Sequence, residues 1–289
     1  MLQPTSPAAW RRWLAFELRH LRSEAGLSQR DVAKALRCTV NKVAYMEKGY
    51  RPVKQRDLAE VLLPLYEVGD DRCRLYLDAV EESKRKGWWE EEYDDEIVPD
   101  WFGRYIGLEQ GAVELRVFQG QVISGLLQTP EYAWAVEERT LVDIDNVAER
   151  VEVRVRRSAV LSREPVPLKF WAVLDEAALR RVVGGPKIMR AQLEHLVDTA
   201  KRPNVTIQVL PFSAGAHAAM ESAIRILQFP WAGDPGLAYR EGNGGGSGVF
   251  LEEAGLVADH LLVFEQVSSL ALGAEESLHL VEDVVNDYP

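Results

Sequence analysis

The segment LSQRDVAKALRCTVNKVAYMEKG, residues 27–49, constrains the fold more than any other part of the sequence. It contains two short apolar-periodic runs, each opening on a residue that caps helices. Ser28, with Asp31 three positions on, has the form of a capping box, and Thr39 is placed to cap the second run. Val32, Ala33 and Leu36 fall on one side of the first helix, and Val43 and Met46 on one side of the second. Ala33 is small, as a close approach of two helices requires. This is the layout of a helix-turn-helix, in which the second helix turns its exposed side to the DNA major groove.

On that second helix Val40, Asn41, Lys42, Ala44 and Tyr45 fall on or beside the exposed face. Asparagine can bond adenine bidentately, lysine can donate to guanine, and valine or alanine can meet a thymine methyl. Gln29, at the start of the supporting helix, and Arg51 and Lys54, beyond the Gly49 turn, are placed for phosphate contacts. The candidate DNA-binding residues are therefore Gln29, Thr39, Val40, Asn41, Lys42, Tyr45, Arg51 and Lys54. Glu47 reads as structural, with Arg30 or Lys34 as its expected partner.

A formal net charge of −11 conflicts with binding a polyanion only until it is divided along the chain. Residues 1–63 hold 12 Lys and Arg against 6 acids, net +6, and the remainder holds 22 against 39, net −17. Coulomb attraction to phosphate reaches about one Debye length, ~8 Å in physiological salt, so the local surplus governs.

A chain of 289 residues with 47% hydrophobic content can form two domains without disulfides or metals. Cys38 and Cys73 have no paired spacing, which fits a reducing cytoplasm, and no apolar run approaches the ~20 residues of a membrane span. Residues 6–86 read as consecutive helices of an N-terminal domain, 1–86, starting at Ser6-Pro7 with Gly26 ending the first. WWEEEYDDEIVPDW, residues 88–101, has seven acids and no base. It reads as an acidic aromatic linker, 87–101, clipped by its aromatics onto the domain that follows. Residues 102–289 then alternate strand-like runs at 113–118, 168–174, 205–210, 224–229, 236–240 and 248–252 with helical ones. The expected fold is multidomain: an all-α N-terminal domain plus an α+β C-terminal domain with a mixed sheet. RVEVRVR within 147–161 fits strand alternation and helical spacing alike. A helix is expected, with Arg150, Arg154 and Arg157 on one exposed side.

The first segment resembles the lambda-repressor/Cro-like XRE family, whose pattern runs LSQxxLAxxLGxSxxxIxxIExG. Leu27, Ser28, Gln29, Ala33, Leu36, Glu47 and Gly49 match it, with Val43 and Met46 at apolar positions. The sequence departs at Arg37, where the family usually has a turn glycine; a left-handed backbone there costs another residue ~1 kcal/mol. VISGLLQTPEYAWAV (122–136), the long stretch 168–217 and LALGAEESLHLV (270–281) resemble a C-terminal domain of unknown function common in actinobacterial XRE-type regulators, some proposed as antitoxins paired with a small protein. The resemblance implies regulation and a partner, and it carries over no chemistry.

In that second domain the best candidates for catalysis are Asp175 and Glu176, after a strand, and His217, in a glycine-bearing loop after another. Asp175 equally suits a helix N-cap, and no metalloprotease, hydrolase or Walker motif occurs, so neither an enzyme, a metal nor a cofactor is expected. GNGGGSG, 242–248, reads as a hairpin loop, and GGPK, 184–187, as a turn before a helix. GLLQTPEY offers Leu126, Leu127 and Gln128 as a pocket edge or docking surface, so the candidate partner- or ligand-binding residues are Leu126, Leu127, Gln128, Asp175 and His217. The expectation is a sequence-specific DNA-binding transcriptional regulator, a homodimer on an operator, whose C-terminal domain binds a small protein partner or a small-molecule effector. The alternatives are an antitoxin-type protein that mainly neutralises its partner, and a DNA-targeted enzyme acting on nucleotides or phosphodiesters.

Overall fold

A computed structural model of the protein describes residues 4–140, 146–221, 223–241 and 247–288. The chain divides into two compact units, Met1–Glu92 and Tyr93–Pro289.

The first unit is helical: α1 (Pro7–Glu24), α2 (Gln29–Ala35), α3 (Val40–Glu47), α4 (Gln55–Asp57), a π-helical turn (Leu58–Leu62) running into α5 (Leu63–Leu65), α6 (Asp70–Lys84) and α7 (Trp88–Glu92). Ser6 caps α1, its hydroxyl accepting from the Ala9 N–H at 3.2 Å. Packing of α1 on α6 makes the core, with Trp13 stacked on Tyr76 at 5.4 Å. The Tyr76 hydroxyl donates to Glu17 at 2.8 Å and accepts from Arg72, so a buried carboxylate that would otherwise be costly is satisfied.

Four helix ends in this unit close by the same reverse turn, in which the residue after the C-cap turns left-handed and two N–H groups satisfy carbonyls of the last turn. Gly26 and Gly49 occupy that position at φ 66 and 69, and Arg37 and Glu67 occupy it at 51 and 53. At Arg37 the bonds run from its N–H to Lys34 O and from the Cys38 N–H to Ala33 O. The turn geometry therefore survives the loss of glycine.

The second unit starts with α8 (Asp100–Gly111), so the segment read as a linker contains α7 and the first residues of α8. There follow β1 (Glu114–Gln119), α9 (Pro130–Thr140), α10 (Val147–Arg157), β2 (Lys169–Asp175), α11 (Glu176–Arg180), α12 (Pro186–Ala200), β3 (Val205–Leu210), β4 (Ile224–Gln228), β5 (Leu237–Glu241), β6 (Gly248–Leu251), α13 (Ala254–Leu270) and α14 (Ala274–Asn286). The sheet order is β3-β2-β1-β4-β5-β6. Its first three strands are parallel, joined by helical crossovers, and the rest are antiparallel, so the sheet is mixed. On one face Phe118, Val173, Ile224, Ile226 and Ala238 pack against Val257, Phe264 and Val267 of α13. On the other, Val117, Arg225 and Tyr239 lie side by side across β1, β4 and β5.

Residues 147–157 are helical, as expected, but the arginines do not share an exposed side. Arg157 is 7% exposed and Arg154 is largely covered, because carboxylates distant in sequence meet them. Residues 242–246 of the GNGGGSG loop lie outside the described residues; the strands flanking it pair, Glu241 opposite Gly248. Among the described residues no single helix is long and apolar enough to cross a membrane.

Candidate nucleic-acid interface and a cavity in the second unit

The α2–α3 pair is built by its caps. Ser28 accepts from the Asp31 N–H at 3.2 Å, and Asp31 accepts from the Ser28 N–H at 2.9 Å. The Ser28 hydroxyl and then its N–H hold the Asp31 carboxyl below the usual range. Thr39 caps α3, accepting from the Lys42 N–H at 3.3 Å. Val32, Ala33, Val43 and Met46 are buried, and Leu36 is half-buried.

Glu47 is structural, but its partners are not Arg30 or Lys34. It accepts from Arg22 at 2.6 and 3.0 Å and from the Gln29 side chain at 2.8 Å, with Arg22 also donating to Leu27 O. One carboxylate thus joins α1, α2 and α3, because packing carries the α3 C-terminus to α1. It also engages the Gln29 amide that the sequence suggested for a phosphate. Exposed on and beside α3 are Thr39, Val40, Asn41 and Tyr45. Lys42 is half-buried, its Nζ 3.5 Å from Asp57. Arg51 and Lys54 are exposed beyond the turn. Tyr50, which the sequence reading passed over, is 52% exposed with its ring 6.3 Å from that of Tyr45. An exposed aromatic directly after the turn glycine was the available signal.

The candidates in the second unit scatter. Leu127 and Gln128 are buried, and the Leu127 backbone is held by Gln192, which donates to Leu127 O and accepts from the Thr129 N–H, each at 2.7 Å. Asp175 and His217 do come together, His217 Nε2 lying 3.8 Å from Asp175 Oδ2. Asp175 Oδ1 caps α11 by accepting from the Ala177 N–H at 2.8 Å, and His217 Nδ1 accepts from the Ala219 N–H. Among the described residues no group of three His, Cys, Asp or Glu could hold a metal ion.

Leu126 lies elsewhere, in the wall of a cavity of about 60 Å³ on the sheet face away from α13. Arg154 and Arg157 of α10 and Arg225 of β4 line it. Arg157 donates from Nε and Nη2 to the two oxygens of Glu109, both at 2.9 Å. Burial opposes its charge, and Glu109 more than offsets burial, raising the Arg157 pKa. Arg154 pairs with Glu137 and reaches Gln128 Oε1 at 3.4 Å; burial, its largest influence, lowers its pKa. Arg225 donates from Nη1 to Glu241 at 2.8 Å. A single arginine between Ile224 and Ile226 was the sequence signal for this site, because strand alternation puts it on the face opposite theirs.

Residues 102–283 match the family described as a domain of unknown function, DUF5753. The chain belongs to that family. Residues 13–75, around the α2–α3 pair, match a helix-turn-helix domain of XRE-like type. The chain thus joins a DNA-binding helix-turn-helix to a DUF5753 domain, and that domain contains the arginine-lined cavity. No curated protein and no solved structure matches the chain.

Proposed function

We propose that the chain is an operator-binding transcription regulator, homodimeric on DNA, that reads bases with α3 and senses a small molecule through its DUF5753 domain. The observation that carries the DNA reading is the division of α3: Val43 and Met46 are buried, while Val40, Asn41 and Tyr45 are exposed. Asn41 and Tyr45 supply base-edge contacts, and Arg51 and Lys54 supply phosphate contacts. Lys42 donates to a base on leaving Asp57. A dimer of such units would bind half-sites one helical turn apart, ~34–36 Å. In this reading the second unit binds rather than catalyses, since Asp175 is committed to capping α11.

The test is operator selection from random DNA, followed by affinity measurements on single-base variants. Asn41→Ala is expected to weaken binding by ~1–3 kcal/mol and to relax preference at one position. Unchanged affinity and base preference in both Asn41→Ala and Tyr45→Ala would remove α3 as the reading helix.

A further inference from the structure

The cavity in the DUF5753 domain holds an arrangement that no structural role accounts for. Tyr239 is 2% exposed and lines the cavity, yet its hydroxyl meets no hydrogen-bond partner among the described residues. Buried polar groups in native proteins are almost always paired, so an orphaned hydroxyl in a cavity wall points to an occupant. Burial, followed by the Glu241 charge, pushes the phenol pKa up, which keeps the hydroxyl protonated and able to donate. Space at that hydroxyl is preserved by Gly248, where a Cβ would lie 2.7 Å from the Tyr239 oxygen and 2.9 Å from the Trp101 ring.

The neighbouring cations are pre-set. Arg157 lies over the rings of Phe102 and Tyr105, at 5.0 and 5.3 Å, and Arg225 over the ring of Tyr239 at 5.6 Å. Such stacking fixes a guanidinium plane and leaves its edge to donate. The three arginines are balanced by Glu109, Glu137 and Glu241, and these carboxylates are not equivalent. Glu109 is 1% exposed and bound bidentately, whereas the Glu241 side chain is 45% exposed at the end of β5. Glu241 can turn into water, and an anion that takes its place on Arg225, whose guanidinium lies over the Tyr239 ring, spares that cation the cost of being left unpaired.

We propose that this cavity binds the carboxylate of a small, apolar-bodied organic acid, which replaces Glu241 on Arg225 and accepts from Tyr239. One negative charge then substitutes for another, so the balance of the buried cluster is kept; a phosphate dianion would leave a surplus charge. Leu115, Val117 and Leu126 supply an apolar wall for the body of the acid. At ~30 Å³ per water the cavity of about 60 Å³ takes about two waters, so it receives the acid group and little more than the start of a stem. The site deepens the reading of this domain as the sensing part, and rests on that reading only for what binding does to DNA.

The experiment is calorimetric titration of the full chain with acetate, butyrate, benzoate and inorganic phosphate. At least one carboxylate is expected to bind saturably and more tightly than phosphate. Arg225→Gln should weaken that binding at least tenfold, and Tyr239→Phe should weaken it severalfold. Glu241→Gln should tighten it, an outcome that a damaged fold would not give. Failure of all three carboxylates to bind, phosphate binding more tightly than any of them, or affinity unmoved by Arg225→Gln and Glu241→Gln overturns the proposal. Operator affinity with and without the bound acid is read separately: binding that leaves operator affinity unchanged supports the site and rejects the sensing role.

Discussion

Arg37 shows how one residue can depart from a pattern while the backbone keeps it. Its φ of 51 lies in the left-handed region, where a Cβ crowds the following carbonyl at a cost of ~1 kcal/mol. Arg37→Gly relieves that crowding but adds freedom to the unfolded chain, so a gain of ~0.5 kcal/mol in urea unfolding is expected, with DNA affinity little changed. A loss of stability would show that the Arg37 side chain makes contacts worth more than the strain. Glu176 offers a residue-scale test in pH. Burial works to raise its pKa, and the Phe212 N–H at 2.8 Å and Arg180 at 2.6 Å outweigh it, so the folded value is lowered. A depressed folded pKa adds stability above the unfolded value, near 4.5, and that stability fades as pH falls through the folded one. Glu176→Gln should therefore be less stable than the parent at pH 7, with the gap narrowing in acid. A gap independent of pH would assign the loss to packing alone.

At the scale of elements, whatever depends on local sequence was legible. Caps at Ser6, Ser28 and Thr39, the turn at Gly26 and all six strands follow from residues within a few positions of one another. What could not be read depends on partners far along the chain. The spacing of Arg150, Arg154 and Arg157 shows which residues sit near one another on α10, but not what covers them. The partner of Arg157 is 48 residues away and that of Arg154 is 17 away. Glu47 was misassigned for the same reason, since Arg22, 25 residues earlier, displaces the nearer cations. The Glu109–Arg157 pair also fastens α8 to α10. Removing one partner strands a buried charge, so Glu109→Leu alone is expected to cost ~3–5 kcal/mol in denaturant unfolding. The double variant Glu109→Leu with Arg157→Met should recover much of that loss. Equal losses in the single and double variants would mean that the cluster is held by packing rather than by pairing.

Across the whole molecule the charge is partitioned, and DNA binding should report the partition. Arg51 and Lys54 belong to the net +6 of residues 1–63, while the net −17 of the remainder adds nothing attractive to phosphate. If each makes one phosphate contact, Arg51→Ala and Lys54→Ala should each flatten the slope of log affinity against log salt by ~0.9 and leave base preference intact. An unchanged slope would place the phosphate contacts elsewhere on the basic segment. The strand order has a different consequence, one of timing. β4, β5 and β6 follow one another in the chain and pair as neighbours, so they close over short loops. β1 and β4 also pair, although about a hundred residues separate Gln119 from Ile224. The entropy of closing so long a loop makes that ladder slow to form. Val117 and Arg225 face each other across it, so the wall of the cavity is assembled late. A nascent chain would have its helix-turn-helix before it had the wall of that cavity.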